Sequence, residues 1–208
     1  MNTGKILHLD GDRKYSEKAY RHYKKMKINA VVKNIAEYRQ PKNVYRLLEH
    51  YNPDIVIVTG HDEMIKKKIG YYDLYNYRNS KYFIQTVKEI RRYDKDYNKN
   101  TVIIAGACES YYEALIMAGA NFASSPARIL IDFLDPIIVA ENIAVSDYYK
   151  YITIEDISDK LRDGKKGISG IGANGKKNVP MMTKQNDWLI KQKWSVPIDS
   201  FFCNIFVT

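Results

Sequence analysis

Two side chains in this sequence have the chemistry of a nucleophile and its base. The 208 residues include only two cysteines and four histidines. Cys108 comes three residues after an apolar run that ends at Ala105, and His61 comes three residues after a run that ends at Val58. A thiol attacks as its thiolate, and an adjacent imidazole favours the thiolate by pairing with it. The spacing therefore indicates a Cys–His dyad.

Apolar runs that alternate with helical patterns predict the scaffold for this dyad. We expect strands at 6–9, 30–32, 55–58, 102–105, 122–123 and, at an edge, 151–154, and helices at 16–27, from 41 onward, 82–93, 111–118 and 127–144. The last helix should bend at Pro136. Such alternation is typical of an α/β fold with a mostly parallel sheet. Because parallel strands end at one edge, about 4.8 Å apart, neighbouring third and fourth strands would bring His61 and Cys108 together.

The residues around Cys108 and His61 suit the same chemistry. Gly106 and Ala107 are small enough for a substrate backbone to approach, and a helix predicted directly after Cys108 would favour the thiolate through its positive N-terminus. Backbone N–H groups near Gly60 and at Cys108 could form an oxyanion hole. A lone cysteine after a strand is more often a small core residue. A lone histidine there is more often structural, but the two together are less easily coincidental.

The charge distribution raises a second possibility, a nucleic-acid-binding surface. The net charge is +9, and the stretch from Arg13 to Arg46 holds eleven Lys or Arg residues against two acids. Such a basic face could attract a nucleic acid or an acidic protein. A solvated helical face is the commoner explanation, and no RNA-binding motif accompanies it. Nucleic acid is therefore disfavoured as a partner.

Composition also narrows the class of protein. No run approaches the ~20 apolar residues that span a bilayer, and the N-terminus lacks a secretory pattern, so no membrane partner is expected. Only two cysteines favour a protein of the reducing cytoplasm over a disulfide scaffold. Two cysteines and four scattered histidines also argue against a structural zinc site, which needs four ligands at close spacing. Gly170 to Gly175 is like a dinucleotide loop only superficially, because neither a buried strand nor a helix flanks it. We expect no metal and no cofactor.

Two further functions stay open at this stage. Asp10 and Asp12 after the first strand would suit a non-catalytic receiver-like module. Such a module also needs an acid at the end of strand three and a lysine at the end of strand five, where His61 and Ser124 stand instead. A small-molecule hydrolase or amidotransferase would likewise use a cysteine at a strand–helix turn.

Longer motifs give the chain a recognisable resemblance. They are Thr59–Asp62, Tyr77–Phe83, Ala105–Leu115, Ala118–Pro126 and Leu134–Pro136. A strand ending in His followed by a strand ending in Ala-Cys resembles the caspase–legumain–clostripain group of cysteine peptidases. The longer motifs resemble the YabG family of sporulation-specific peptidases. The resemblance covers about residues 5–154 and does not extend to the tail after about Lys176.

The resemblance implies a fold and a function. The fold is a caspase-like three-layer sandwich, with helices on both faces of the sheet. The function is a cysteine endopeptidase, with Cys108 and His61 as catalytic residues, that cleaves spore coat and cortex-related proteins after basic residues, chiefly Arg. It would work in the cytoplasm of the mother cell, where it could also associate with the spore coat. It could also cleave itself. One departure is that Asp62 follows the histidine where caspase-like enzymes have glycine, which leaves the oxyanion donor open.

Cleavage after Arg requires a carboxylate that can meet a guanidinium with two hydrogen bonds. The candidates for this substrate-binding role are Asp10, Asp12, Asp62 and Asp135, and Ser124 and Ser125 could line the same pocket. Each is otherwise explained as a turn or cap residue. Residues 66–81 could form a lid or an autocleavage loop. We divide the chain into a peptidase core, 1–160, and a glycine-rich loop with a C-terminal extension, 161–208.

Overall fold

The computed structural model describes residues 3–65 and 70–177. Eight strands lie in this part of the chain: β1 Ile6–Asp10, β2 Ala30–Asn34, β3 Ile55–Thr59, β4 Val102–Ala105, β5 Phe122–Ser124, β6 Tyr151–Ile152, β7 Ile168–Gly170 and β8 Ala173–Asn174. The α-helices are α1 Arg13–Met26, α2 Gln40–Tyr51, α3 Ser80–Tyr97, α4 Tyr112–Met117 and α5 Asp135–Val145. The predicted α/β class is confirmed.

The central sheet has six strands in the order β2-β1-β3-β4-β5-β7. The first five are parallel, and β7 runs antiparallel to β5. In this register Asp10 lies opposite Thr59, and Val58 lies opposite Ala105. The carboxyl ends of β1, β3 and β4 therefore meet at one edge, as the dyad requires.

Helices cover both faces of the sheet and make the predicted three layers. On one face, the side chains of Ile6, Ile55 and Ile104 pack against α1 and α5. On the other face, alternate strand residues such as Leu7 and Val56 pack against α2, α3 and α4. Strands β1, β3, β4 and β5 are buried on both sides, which is why they read as apolar runs.

The longest predicted helix is shorter than expected. It begins at Asp135, not at 127, and Pro136 occupies its first turn instead of bending it. Proline suits this position because its missing N–H is not needed there. The preceding residues form a turn in which Arg128 has a left-handed φ of 56°. This turn lies against the Cys108 loop, since Glu109 N–H donates to Ile129 O at 3.2 Å.

The glycine-rich stretch is more ordered than the loop we predicted. It contributes β7 to the main sheet and β8 to a two-stranded sheet with β6. The edge strand expected at 151–154 is therefore short and pairs away from the main sheet. The division of the chain after residue 160 stays a prediction, although β7 shows that the sheet uses residues beyond it. The C-terminal extension from 178 and part of the predicted lid, 66–69, lie outside the described residues.

Candidate active site

A small cavity lies at the edge where β1, β3 and β4 end. Its volume is about 90 Å³. It is lined by Asp10, Tyr15, Thr59, Gly60, His61, Ala107, Cys108, Ile131, Phe133 and Pro136. The predicted nucleophile and base therefore share one cavity with one of the four candidate carboxylates. Its remaining walls are largely aromatic and aliphatic.

His61 is held on several sides while its ring stays open to solvent. Its Nε2 lies 2.9 Å from Asp12 Oδ2, its N–H donates to Glu37 Oε1 at 2.7 Å, and its carbonyl accepts from Asn79 Nδ2 at 2.8 Å. The edge of the Tyr15 ring approaches it at a centroid distance of 6.1 Å. The side chain is 61% exposed. The imidazole is therefore fixed in position and accessible from solvent at the same time.

Cys108 lies in a tight turn after β4 and is half-buried. Positive φ angles at Gly106 (102°) and Glu109 (53°) give the turn its shape. Ile131 N–H donates to the Cys108 Sγ at 3.5 Å, and Sγ lies 3.9 Å from the carbonyl of the same residue. The N–H of Cys108 makes no hydrogen bond within the described residues. That N–H is thus available to a substrate oxygen.

The predicted help from a helix N-terminus is not found. We expected a helix directly after Cys108, but α4 begins only at Tyr112 and is six residues long. The intervening residues are used in the turn, where Ser110 Oγ accepts the Ala107 N–H at 2.9 Å. A helix dipole acts within its first turn, so it does not act on the Cys108 thiol. His61 is the better candidate for activating this thiol.

The thiol and the imidazole face one cavity without bonding to each other. In the described residues Sγ is engaged with the Ile131 backbone and the ring with Asp12. Their strands are neighbours in register up to Val58 and Ala105. Catalytic hydrogen bonds are often long or misaligned before substrate binds, so the lack of a direct bond between the two side chains does not count against a dyad.

Asp10 is a buried carboxyl that faces the cavity. It is 5% exposed, and burial raises its pKa to about 7, with smaller upward contributions from Asp12 and Glu37. It accepts the Asp12 N–H at 2.7 Å. Behind it, His8 Nε2 lies 3.8 Å from Asp10 Oδ2, but burial lowers the pKa of His8 to about 3, so the two do not form an ion pair at neutral pH. Asp10 thus has little polar compensation for its burial.

Asp62 lies in a separate, closed network. Its carboxylate accepts from the hydroxyls of Ser80 and, at 2.9 Å, Ser110, and from the N–H groups of Glu63 at 3.0 Å and Asn79 at 2.7 Å. Burial raises its pKa, although these hydrogen bonds act in the opposite direction. The structure does not bring Asp62 into the cavity. Instead, it ties the His61 loop to α3 and to the Cys108 turn.

The remaining candidate substrate residues lie in the walls around the cavity. Ser125 accepts N–H groups from Glu109 (3.1 Å) and Ile129 (2.8 Å) and so links the Cys108 turn to the segment before Ile131. Ser124 is buried, and its Oγ has no partner in the described part of the chain. Asp135 is buried at the start of α5 and accepts the Arg162 N–H at 3.1 Å. None of the three lines the cavity itself.

Comparison with known proteins identifies the family. The model of a family described as YabG peptidase U57 matches residues 1–181. The chain belongs to the YabG peptidase family. It is 39% identical over 183 residues to the sporulation-specific protease YabG of Bacillus subtilis (strain 168), a match that covers 88% of this chain and 63% of the relative. The chain therefore spans less than two thirds of the length of that relative.

Solved structures give only distant likenesses. A receiver domain of the Francisella response regulator 1452 is 16% identical, with a TM-score of 0.42, over 68% of this chain and 95% of that one. The receiver domain of the Arabidopsis thaliana histidine kinase CKI1, with Mg²⁺, is also 16% identical, with a TM-score of 0.40, over 64% and 86%. At these scores neither likeness bears on the function of this family member.

Sequence reasoning missed several residues that position the site. Glu37 follows β2, and its carboxyl group occupies the space over Gly11 and Gly60 where a Cβ would stand, besides holding the His61 N–H. Asn79 holds the His61 carbonyl and lies inside the motif Tyr77–Phe83 that carried the family resemblance. The signal in the sequence for Glu37 was an acidic residue shortly after a strand. Its position in the sequence does not indicate that it would contact residues after β3.

Other site types find no support in the described ranges. Within 3–65 and 70–177 no group of three or more His, Cys, Asp or Glu residues is arranged to hold a metal ion. Of the helices that the structure describes, none has the length and apolar character to cross a membrane.

Proposed function

We propose that this chain carries the peptidase activity of its family through a dyad of Cys108 and His61. The observation that supports the proposal is that the only described cysteine and an ordered, exposed histidine line one cavity at the carboxyl ends of neighbouring parallel strands. Ligands and reactive groups gather at this edge of open α/β sheets.

The reaction follows from the two side chains. His61 takes the proton of the Cys108 thiol, and the thiolate attacks the carbonyl carbon of the scissile peptide bond. The resulting oxyanion accepts a hydrogen bond from the free Cys108 N–H, and the imidazolium then protonates the leaving amine as the C–N bond breaks. Water, deprotonated by His61, hydrolyses the thioester and restores the thiol. Each step requires Sγ to turn from the Ile131 backbone toward the imidazole.

A basic side chain on the amino side of the cleaved bond is the occupant proposed for the rest of the cavity. Tyr15, Ile131, Phe133 and Pro136 would pack along the aliphatic stem of an arginine, and Asp10 would meet its charged end. A buried carboxyl gains strongly from a cation that replaces its lost hydration. Of the four candidate acids, Asp10 is therefore the one we favour for specificity. The Asp12 carboxylate is hydrogen-bonded to His61, and the Asp62 carboxylate already accepts four hydrogen bonds. Asp135 does not line the cavity.

The biological setting follows from the family. The relative is named as sporulation-specific. We propose that the substrates are proteins of the spore coat and cortex, cleaved in the mother cell. A proteolytic step in coat assembly needs selective cleavage, and a small cavity that accepts one type of side chain would provide it.

The test is a cleavage assay with purified full-length chain and peptides that carry Arg, Lys, Gln or Asp before the scissile bond. Cys108→Ala and His61→Ala should each lower kcat by at least about a thousandfold, the scale typical of nucleophile and base removal. Cys203→Ala and His50→Ala, at the other cysteine and at an exposed histidine of α2, are the matched controls and should retain activity. Persistent cleavage by pure Cys108→Ala would refute the proposal.

A further inference from the structure

Asp12 uses its two carboxylate oxygens for two different tasks. Oδ1 accepts the Tyr15 N–H at 3.0 Å and so caps the N-terminus of α1. Oδ2 lies 2.9 Å from His61 Nε2. Capping alone explains an aspartate at this position but does not require the second oxygen to meet the imidazole. The second contact thus points to a role in the site.

The backbone of Asp12 is fixed from both sides. Its N–H donates to Asp10 Oδ1 at 2.7 Å, and its carbonyl accepts from the N–H and the hydroxyl of Ser16 at 2.9 and 2.8 Å. The parallel pairing of β1 with β3 places this turn beside the His61 loop. The carboxylate is therefore presented to the imidazole by the strand pairing and by the start of α1.

This contact determines which ring nitrogen can act as the base. A carboxylate only accepts hydrogen bonds, so the nitrogen that faces Asp12 must carry a proton. Nε2 is then the donor, and Nδ1 is left as the acceptor for the thiol proton. The hydrogen bond from His61 lowers the pKa of Asp12, which keeps the carboxylate ionised at neutral pH. Its negative charge stabilises the imidazolium that forms when the thiol ionises.

We propose that Asp12 is the positioning residue of the site: it fixes the orientation and tautomer of His61 so that Nδ1 faces Cys108. This inference rests on the proposed dyad. It replaces the substrate-binding role that the sequence suggested for Asp12. Asp10 is linked to the same unit, since the carboxyl that faces the cavity also holds the Asp12 N–H.

The variant Asp12→Asn separates positioning from capping. Asparagine caps helices about as well as aspartate, so α1 should form normally. Its amide nitrogen, when turned to His61, donates to Nε2 and forces the proton onto Nδ1, the wrong tautomer for accepting from the thiol. The corresponding substitution in a serine triad costs about 10⁴-fold in kcat. Because this carboxylate is 28% exposed, we expect a smaller loss, about ten- to a hundredfold in kcat, with KM nearly unchanged.

The pH profile gives a readout that a purely structural role would not change. Loss of the negative charge beside the imidazolium should move the kcat profile to lower pH. The titratable groups that face the imidazole are the carboxyls of Asp10, Asp12 and Glu37, the phenol of Tyr15 and, across the cavity, the thiol of Cys108. All but Asp12 are kept in the variant, so the shift can be assigned to the substitution.

Two further variants complete the experiment. Asp12→Ser also retains a good helix cap but lacks the carboxylate, so it should lose kcat to a similar extent. It serves as the test variant if Asp12→Asn does not fold. Asp73→Asn removes a carboxylate that caps a 3-10 turn through Tyr75 N–H, at 2.9 Å, and should match wild type. If Cys108→Ala is inactive while folded Asp12→Asn and Asp12→Ser keep the wild-type kcat and pH profile, the inference fails alone. Activity in Cys108→Ala would instead overturn the dyad itself.

Discussion

Asp10 and Asp62 are two buried carboxyls at the same edge of the sheet, and they are bonded very differently. Asp62 accepts from two serine hydroxyls and two backbone N–H groups. Asp10 accepts from the Asp12 N–H and faces the cavity. Burial raises the pKa of both, and for Asp10 it reaches about 7. Two similar positions in the sequence therefore have very different hydrogen-bonding environments.

This difference distinguishes a carboxylate that orders the loops of the site from one that could bind a substrate. A carboxylate whose oxygens are all satisfied cannot bind a substrate without breaking the network that orders the loops. A carboxyl that is buried with few partners is destabilising until a ligand supplies the missing ones. We infer that Asp62 fixes the loops of His61 and Cys108, whereas Asp10 is kept for the substrate.

The largest expected effect is on substrate choice. Asp10→Asn should lower kcat/KM for a peptide with Arg before the scissile bond by about a hundred- to a thousandfold, because the buried guanidinium loses a charged partner. The same peptide with Gln should change little. Parallel assays of both peptides give the ratio, and circular dichroism checks the fold. An unchanged Arg-to-Gln ratio would assign specificity to another acid.

The next effect is on stability and concerns Asp62. Asp62→Ala leaves the hydroxyls of Ser80 and Ser110 and the N–H groups of Glu63 and Asn79 without their acceptor, which should cost about 3 kcal/mol in the free energy of unfolding. Urea denaturation measures this loss. Asp147→Ala, at an exposed carboxylate whose ion pair within the described residues is with Lys177, is the matched control and should cost less than about 1 kcal/mol. Equal losses in both would contradict a locking role for Asp62.

The smallest expected effect is a gain of stability in Asp10→Asn, the variant that should also lose the preference for Arg. Because the pKa of Asp10 is raised from 3.8 to about 7, the folded chain keeps a proton that the unfolded chain releases within this range. The contribution of Asp10 to stability therefore falls as the pH rises from about 4 to 7. A rise of about three units in this pKa corresponds to a cost of about 4 kcal/mol, and Asp10→Asn, which keeps a buried polar group, should recover about half of it, about 2 kcal/mol in the free energy of unfolding at pH 8.

The comparison of Asp10→Asn with wild type at two pH values tests this carboxyl. His8, with a pKa lowered to about 3, loses its contribution in both proteins as the pH falls below 6.5, and its Nε2 lies 3.8 Å from Asp10 Oδ2, so the difference at pH 8 is the one assigned to Asp10 alone. The stability gain should be larger at pH 8 than at pH 4. A gain that does not depend on pH, or a loss at pH 8, would show that Asp10 is not a strained acid.

The sequence predicted the five parallel strands, and the placement of Cys108 and His61 on one cavity, because both depend on strong local patterns. Apolar runs bounded by turn residues locate the strands, and a parallel sheet then forces their ends together. The start of α5 was missed because the apolar run from 127 onward resembles one helix, and only the placement of Pro136 in the first turn reveals the break. β7 was missed because glycine-rich sequence rarely indicates a strand.

The roles of individual acids were beyond sequence reasoning for a physical reason. Asp10, Asp12 and Asp62 all follow strands and all look like turn or cap residues. Their bonding depends on which loops the fold packs against them. Asp12 meets His61 through the β1–β3 pairing, and Asp62 is enclosed by Ser80 and Ser110 from two later segments. Glu37 contacts Gly60 and His61 directly although it lies 24 residues before His61 in the sequence, and no spacing rule predicts such a contact.

The most direct test of the dyad is mass spectrometry after treatment with an arginine-directed electrophile. We expect a single adduct on Cys108, none on Cys203, and labelling at neutral pH that is at least about tenfold slower in His61→Ala, because the thiolate loses its partner. An adduct on Cys203, or an unchanged labelling rate of Cys108 without His61, would contradict the account.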